Sequence, residues 1–251
     1  FNPVSVDAGE VALEYGVTRE DQDRWAYGSQ MKHQKAFTEG KFKVGEELMR
    51  VEIPQRKGPP IIFEKDEFPK PDSTLEKLSK LPLVYGSPTV TAGNAPGLDT
   101  GATAILIMSE KKAKEKGLKP LAKMLSAVAT ATTPRLIAAI PGLTIQAALK
   151  KAGMTLEQID LIEINEAFAA MPLVSNKILA EGDSEKMKRL LEKTNVNGGA
   201  IAIGHPVGAS GARILMTLIY ELRRRGGGIG VASICGGLAQ GDGAVVQVAG
   251  R

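Results

Sequence analysis

The sequence predicts an α/β fold in which helices are layered against a mostly buried sheet. From about Asp99 onward, short apolar segments of strand length alternate with longer charged or amphipathic segments that are typical of helices. The chain has 251 residues, 43% of them hydrophobic and 24% charged, which is enough for a sizeable core. Strands that alternate with helices are typical of layered α/β folds.

The first 95 residues mix helical stretches with polar connections. Residues 18–39 predict a helix, because Thr18 suits the N-cap, Asp21 follows three residues later and Gly40 comes just after the end. Residues 54–73 contain five prolines and many charges, which predict an extended connector.

The rest of the chain contains the predicted sheet. The first strand expected is the continuous apolar run at 102–108, followed by a charged helix over 110–116 that stops before Gly117. The later elements expected are strand 121–129, helix 145–151, strand 160–164, helix 168–179, helix 184–193, helix 209–225, strand 229–234 and strand 244–248.

Helix 209–225 has a regular apolar pattern that predicts its buried face. The residues that recur at steps of three and four are Ala212, Leu215, Met216, Ile219 and Leu222. Three arginines, 223–225, occupy its last turn, where positive charge stabilises the C-terminal end of a helix.

Composition excludes several classes of protein. There is no apolar run of about eighteen residues, so we expect no membrane span, and no signal peptide is recognisable. One cysteine excludes an internal disulfide and suits a reducing compartment, which favours a cytoplasmic location. Aromatic residues make up only 4%, which argues against nucleic-acid binding. The net charge of +4 fits either an anionic ligand or a solvated basic surface.

Three clusters could carry chemistry, and the first is Asn165–Ala169, with the sequence NEAFA. It directly follows the predicted strand 160–164, at the sheet edge where α/β folds bind ligands. Asn165 could hold a water or a carbonyl oxygen. The alternative is that Asn165 or Glu166 merely caps the next helix.

The second cluster is residues 197–211, which contain five glycines and His205, one of two histidines in the chain. The imidazole of His205 could activate a nucleophile or donate to an oxyanion, or it could be a structural hydrogen-bonded histidine. No Lys-Ser/Thr pair follows the glycines, so a phosphate-binding P-loop is not expected.

The third cluster, Cys235-Gly236-Gly237, directly follows predicted strand 229–234. A lone cysteine can be a small buried hydrophobe. A cysteine before a glycine turn can also be catalytic, because the free backbone N–H groups of the turn can face a developing oxyanion.

Together these clusters resemble the thiolase family. The matching boxes are NEAFA at 165–169, GGAIAIGHP at 198–206 and Cys-Gly-Gly at 235–237, with a fourth match, TAGNA, at 91–95. The resemblance covers essentially the whole chain, and residues 16–43 also look like the loop region that covers the cofactor in that family. It implies the layered α-β-α-β-α thiolase fold.

The resemblance implies a role for each catalytic residue. His205 would activate a cysteine that becomes acylated, and His205 with a water held by Asn165 would form one oxyanion hole. Cys235 would move the proton at the α-carbon of the acyl-CoA, and the N–H of Gly237 would serve the other oxyanion hole. Lys70, Ala92 and Phe168 would contact coenzyme A, which is a substrate; no permanently bound cofactor or metal is expected.

The chain departs from the family pattern in three places. Pro96 stands where the TAGNA box usually continues with a serine that contacts the cofactor, and Leu238 and Ala239 replace further glycines after Gly237. The largest departure is that Cys235 is the sole cysteine, while the family needs a second one to be acylated.

These features predict a chain organised in three parts and working with a partner. Residues 1–98 would form the loop region that covers coenzyme A, 99–119 the last strand and helix of the N-terminal half-domain, and 120–251 the C-terminal domain. The acylated cysteine would belong to a segment before Phe1. We expect a second polypeptide, an N-terminal thiolase chain, to supply it in an assembly of paired heterodimers.

Two other functions remain open. A non-catalytic acyl-CoA-binding or scaffolding subunit would also lack the nucleophile. A ketoacyl synthase is a related condensing enzyme, but such enzymes use a pair of histidines and lack the terminal cysteine, so Cys235 argues against it.

Overall fold

The fold is described from a computed structural model, which describes residues 2–250. Within them the chain forms nine α-helices and six strands. The helices are α1 Val4–Glu14, α2 Arg19–Thr38, α3 Leu75–Ser79, α4 Glu110–Glu115, α5 Ile140–Ala152, α6 Ala170–Ala180, α7 Ser184–Lys193, α8 Ala200–Ile203 and α9 Val207–Arg224. The strands are β1 Val51–Ile53, β2 Ile61–Phe63, β3 Lys123–Ala131, β4 Leu161–Ile164, β5 Gly228–Cys235 and β6 Gln240–Val248.

The main sheet has four strands in the order β3-β6-β5-β4. Only β4 and β5 run parallel, with Ile164 opposite Ser233, while β5–β6 and β6–β3 are antiparallel. The carboxyl ends of β4 and β5 therefore lie side by side, which brings together the residues that follow each strand.

Helices cover both faces of this sheet, as the alternation of elements predicts. Helices α5 and α6 pack on the face that carries Ile162 and Ile164, and these residues share one apolar cluster with Val231 and Val245. Helix α9 packs on the opposite face, where Leu161 joins a second cluster. The α/β prediction is confirmed.

Most predicted elements are present, with boundaries that move by a few residues. The helix predicted at 18–39 is α2, and its N-cap forms a reciprocal capping box between Thr18 and Asp21. Helices α5 and α6 begin five residues earlier and two residues later than predicted, at Ile140 and Ala170. Residues 54–73 are mostly irregular, although part of them belongs to the short hairpin of β1 and β2.

The predicted buried face of α9 is partly wrong. Leu222 is buried, but the other buried apolar positions are Ile214 and Leu218 rather than Leu215 and Ile219, which are only partly buried against the same cluster. The remaining buried positions are polar, namely Ser210, Thr217 and Glu221. A pattern of apolar residues misplaces this face, because polar side chains that hydrogen bond inside the protein share it.

The strand predicted at 102–108 does not form. This segment has no regular secondary structure, and Leu106 and Ile107 are 80% and 70% exposed. A strand needs a hydrogen-bonded neighbour, and none of the strands in residues 2–250 pairs with it. The charged helix predicted after it is present as α4, and it ends before Gly117, whose φ is +64°.

No helix between residues 2 and 250 has both the length and the apolar character needed to cross a bilayer.

Candidate active site

Asn165 lies at the carboxyl end of β4, beside the end of β5. Its backbone N–H donates to the carbonyl oxygen of Ser233 at 3.0 Å, two residues before Cys235. Its side chain is fully buried and caps no helix, since α6 begins at Ala170 without a side-chain cap. The capping alternative is therefore wrong for Asn165, and its amide is available to the site.

The side chain of Asn165 belongs to a row of hydrogen-bonded groups that includes His205. Its Nδ2 lies 3.3 Å from Nε2 of His205, and Nδ1 of His205 lies 2.6 Å from the hydroxyl oxygen of Ser210. From the other side, Arg213 donates to Oδ1 of Asn165 at 3.4 Å. The structure thus brings together two predicted residues, Asn165 and His205, and adds two that motif matching did not single out.

His205 is held in place by its backbone. Helix α8 ends at Gly204, whose φ is +94°, and a Cβ there would lie 2.0 Å from Oδ2 of Asp99. The N–H of His205 donates to the carbonyl oxygen of Gly97 at 3.0 Å and also approaches Asp99 at 3.3 Å. Only glycine fits before His205, so the Gly-His-Pro turn positions the imidazole.

The environment of His205 keeps its imidazole neutral. Burial lowers the pKa of His205, and the charge of Arg213 lowers it further, while Asp99 acts in the opposite direction. A neutral imidazole has one nitrogen with a free lone pair, which a general base requires.

Glu166 links the site to helix α2. Its two carboxylate oxygens accept hydrogen bonds from four donors, at 2.8–3.1 Å, and the residue is fully buried. The donors are Trp25 Nε1, Ser29 Oγ, Asn195 Nδ2 and the N–H of Ile201. Glu166 therefore does not cap α6; it ties the N-terminal part of the chain to the NEAFA and Gly-rich turns.

Glu163 lies in β4, two residues before Asn165, and is only 2% exposed. Burial raises the pKa of Glu163 to about 8, although the nearby charge of Arg213 opposes the rise. Its Oε2 has no hydrogen-bond partner in the part of the chain that the structure describes, which agrees with a carboxyl group that is protonated at neutral pH.

Cys235 ends β5 and begins the turn to β6, opposite Gly241. Burial raises the pKa of the Cys235 thiol to about 12, so the side chain is a thiol at neutral pH. Among the described residues, no charged group offsets the effect of burial on this pKa. Nearby Gly237 is exposed, and its N–H has no protein acceptor among the described residues.

The residues predicted to contact coenzyme A lie on three surface segments. The N–H of Lys70 donates to Oε1 of Gln30 at 2.9 Å, and the ammonium group of Lys70 lies 4.9 Å from the centre of the Phe68 ring. Ala92 is exposed in a turn that Asn94 closes by accepting from the N–H of Thr91 at 2.9 Å.

Two hydrogen bonds connect these segments to the catalytic turns. The carbonyl oxygen of Asn94 accepts from the N–H of Ala169, beside the partly buried Phe168, and Gln30 donates to the carbonyl oxygen of Ile201; both distances are 2.9 Å. The segments of Lys70 and Ala92 thus border the NEAFA and Gly-rich turns, and Phe168 belongs to the NEAFA turn itself.

A cleft of about 480 Å³ opens beside His205, between residues 99–103 and the start of α9. Exposed apolar residues border these elements, among them Leu98 at 86% and Val207 at 64%. Among residues 2–250, no group of three or more His, Cys, Asp or Glu side chains could hold a metal ion.

Comparison with known proteins identifies the family. A family model described as "Thiolase, C-terminal domain" matches residues 118–248, and one described as "Thiolase, N-terminal domain" matches residues 2–111. The acetyl-CoA acetyltransferase of Allochromatium vinosum is 45% identical over 241 residues, and the beta-ketoadipyl-CoA thiolase of Acinetobacter baylyi is 41% identical. These alignments cover 96% of this chain and 59% and 58% of the relatives.

Solved structures of similar proteins share the fold of this chain. The acetyl-CoA acetyltransferase of Bacillus anthracis superposes with a TM-score of 0.88 at 39% identity, covering 97% of this chain and 59% of that one. Human mitochondrial 3-ketoacyl-CoA thiolase in complex with CoA gives a TM-score of 0.84 at 38% identity, covering 97% and 58%. The chain spans about three fifths of the length of these relatives. With both family models matched and the fold shared, this chain belongs to the thiolase family.

Proposed function

We propose that this chain contributes His205, Asn165, Cys235 and Gly237 to an enzyme that transfers acyl groups between coenzyme A thioesters. The reaction is the condensation of two acetyl-CoA molecules or, in reverse, the thiolysis of a 3-ketoacyl-CoA. The observation that carries the proposal is the convergence of the Asn165–His205 pair and the Cys235 turn at the carboxyl ends of β4 and β5.

The chemistry of these groups suits that reaction. Removing a proton from the carbon next to a thioester places negative charge on the carbonyl oxygen, and preorganised N–H donors lower that barrier most. The N–H of Gly237, which has no acceptor among the described residues, is one such donor. His205, beside Asn165, becomes the other once its Nε2 has taken the proton of the cysteine that is acylated.

Cys235 moves the proton at the α-carbon. In thiolysis the neutral thiol gives its proton to the enolate of the departing acyl-CoA. In condensation the thiol first loses its proton, and the coenzyme A thiolate released during acylation is a base that can take it.

Coenzyme A is bound as a substrate by the surface segments around the site. Lys70 would meet the nucleotide end, Ala92 would line the pantetheine arm, and Phe168 would contact coenzyme A. Their position beside the NEAFA and Gly-rich turns supports this arrangement. The names of the relatives, acetyl-CoA acetyltransferase and beta-ketoadipyl-CoA thiolase, support a coenzyme A thioester as substrate.

The acylated cysteine is supplied from outside these 251 residues, on an N-terminal thiolase chain in an assembly of paired heterodimers. Cys235 is the sole cysteine of this chain, and its raised pKa does not suit a nucleophile. The exposed apolar segment at 102–108 and the cleft beside His205 provide the surface that such a chain would cover.

In this organisation residues 1–98 form the coenzyme-A-covering loop region, 99–119 the end of the N-terminal half-domain and 120–251 the C-terminal domain. The junction between the two family matches, residues 112–117, lies close to the second of these boundaries.

The test is a condensation assay on the purified protein together with any chain that copurifies with it. Cys235→Ala and His205→Ala should each abolish acetoacetyl-CoA formation while leaving the calorimetric Kd for coenzyme A within about twofold. Ser175→Ala is the matched control, because the buried hydroxyl of Ser175 has no hydrogen-bond partner among residues 2–250 and Ser175 packs in α6 against Gly142 of α5.

Persistent activity in the Cys235 variant would refute the catalytic assignment. Coenzyme A binding without turnover, in material that includes the copurifying chain, would identify a non-catalytic acyl-CoA-binding subunit instead.

A further inference from the structure

Ser210 is placed to select which nitrogen of His205 carries the proton. Ser210 lies in the first turn of α9 and is 1% exposed. Its hydroxyl oxygen lies 2.6 Å from Nδ1 of His205. The same hydroxyl lies 3.2 Å from the carbonyl oxygen of Pro206. A carbonyl oxygen can only accept, so the single hydroxyl proton goes to Pro206 and a lone pair faces Nδ1.

The contacts of Asn165 and Arg213 on the Nε2 side of the imidazole independently indicate that the proton is on Nδ1. Arg213 has only N–H groups to offer, so the atom of Asn165 that it contacts at 3.4 Å must be the acceptor Oδ1. That orientation turns Nδ2 of Asn165 toward Nε2 of His205, at 3.3 Å. An amide NH₂ only donates, which leaves Nε2 as the acceptor.

We propose that Ser210 and Arg213 are positioning residues that hold His205 in the tautomer with the proton on Nδ1 and the lone pair on Nε2. Each group in this chain of hydrogen bonds then donates to the next. Arg213 donates to Asn165, Asn165 to Nε2 of His205, Nδ1 of His205 to Ser210, and Ser210 to the carbonyl oxygen of Pro206. The catalytic value of this tautomer rests on the proposed function, but the tautomer itself does not.

The consequence is a base that is ready before the substrate arrives. When a thiol of the partner chain approaches Nε2, its S–H bond breaks, the proton forms a bond to Nε2, and the electron pair stays on sulfur. Nδ1 keeps its hydrogen bond to Ser210 throughout, so the ring does not rotate. Without the hydroxyl, the proton is free to move to Nε2, where it would block this step.

The test reads the tautomer directly by long-range ¹H–¹⁵N NMR on protein labelled with ¹⁵N-histidine. The chain has only two histidines, so the signals that disappear in His205→Gln belong to His205. We expect a protonated Nδ1 and an unprotonated Nε2 in the wild-type protein at pH 7.5. Ser210→Ala should give a population with the proton on Nε2, and kcat should fall about tenfold with KM unchanged, as expected for one lost hydrogen bond.

Two further variants separate this role from a merely structural one. Ser175→Ala also removes a buried hydroxyl, but one without a partner, so the tautomer and kcat should stay as in the wild type. Asn165→Asp replaces the donor beside Nε2 by a carboxylate oxygen, which should draw a proton onto Nε2.

A wild-type spectrum with the proton on Nε2 would overturn the proposal, and so would a Ser210→Ala protein that matches Ser175→Ala in both tautomer and kcat. If Ser210→Ala does not fold, the spectra of the wild-type protein and of Asn165→Asp still determine which nitrogen of His205 carries the proton. If the spectrum shows the proton on Nδ1 but the protein transfers no acyl group, the proposed function is refuted and the assignment of the tautomer is retained.

Discussion

Replacing Glu166 by Gln should destabilise the fold more than any isosteric change on the surface. The four donors to Glu166 are shared equally, with Trp25 and Asn195 on Oε1 and Ser29 and Ile201 on Oε2. Glutamine keeps one acceptor oxygen and presents an NH₂ group to the other pair of donors. One of the two pairs of donors therefore faces an NH₂ group whichever way the amide turns.

The magnitude follows from what the lost pair contains. If the NH₂ faces Ser29 and Ile201, the hydroxyl can rotate and accept, but the backbone N–H of Ile201 stays buried and unpaired. An unpaired buried donor costs about 1–3 kcal/mol, and a lost hydrogen bond to a charged group about 1.5–3 kcal/mol. We expect the free energy of unfolding to fall by about 3 kcal/mol.

Urea denaturation followed by Trp25 fluorescence measures this change, since the indole itself is one of the donors. Glu20→Gln is the matched control, because that side chain is 82% exposed and its loss should cost less than about 0.5 kcal/mol. If the two variants have the same midpoint and slope, the hydrogen bonds of Glu166 do not tie α2 to the site.

Two predictions concern pH. Glu163 loses its proton near pH 4.5 in the unfolded chain and near pH 8 in the folded chain. As the pH rises from 4.5 to about 8, the free energy of unfolding should therefore fall by up to about 1.4 kcal/mol per pH unit. Urea denaturation at pH 5.5 and 7.5 measures this loss of stability. The difference between the two pH values should disappear in Glu163→Gln and persist in Glu20→Gln. Because burial raises the pKa of Cys235 from 9.0 to about 12, iodoacetamide at pH 8 should alkylate it about a thousandfold more slowly than free cysteine. A rate close to that of free cysteine, measured by mass spectrometry, would contradict the raised pKa.

The elements and the turns of the site could be predicted from the sequence because local signals determine them. Capping at Thr18 and the positive φ of Gly117 give helix ends, and strand-length apolar runs give β4 and β5. The NEAFA box directly follows β4 and Cys235 ends β5, so their meeting at one sheet edge follows from the parallel pairing of the two strands.

The rest depends on contacts between distant residues. The apolar run at 102–108 has the composition of a strand, but a strand forms only where a neighbour pairs with it. Two side-chain partners of Glu166, Trp25 and Ser29, come from α2, more than 130 positions earlier in the chain, and no local pattern predicts them. Ser210 lies only five residues after His205, yet its role depends on the angle at which α9 leaves the Gly-His-Pro turn.

Locating the acyl group that the working enzyme forms distinguishes a nucleophilic Cys235 from one that moves a proton. Purified protein, with any chain that copurifies, is incubated with acetyl-CoA, quenched in acid, digested and mapped by mass spectrometry. We expect acetylation of a cysteine outside these 251 residues and an unmodified Cys235. Acetyl on Cys235 would contradict it, because Cys235 would then be the nucleophile and not the residue that moves the proton.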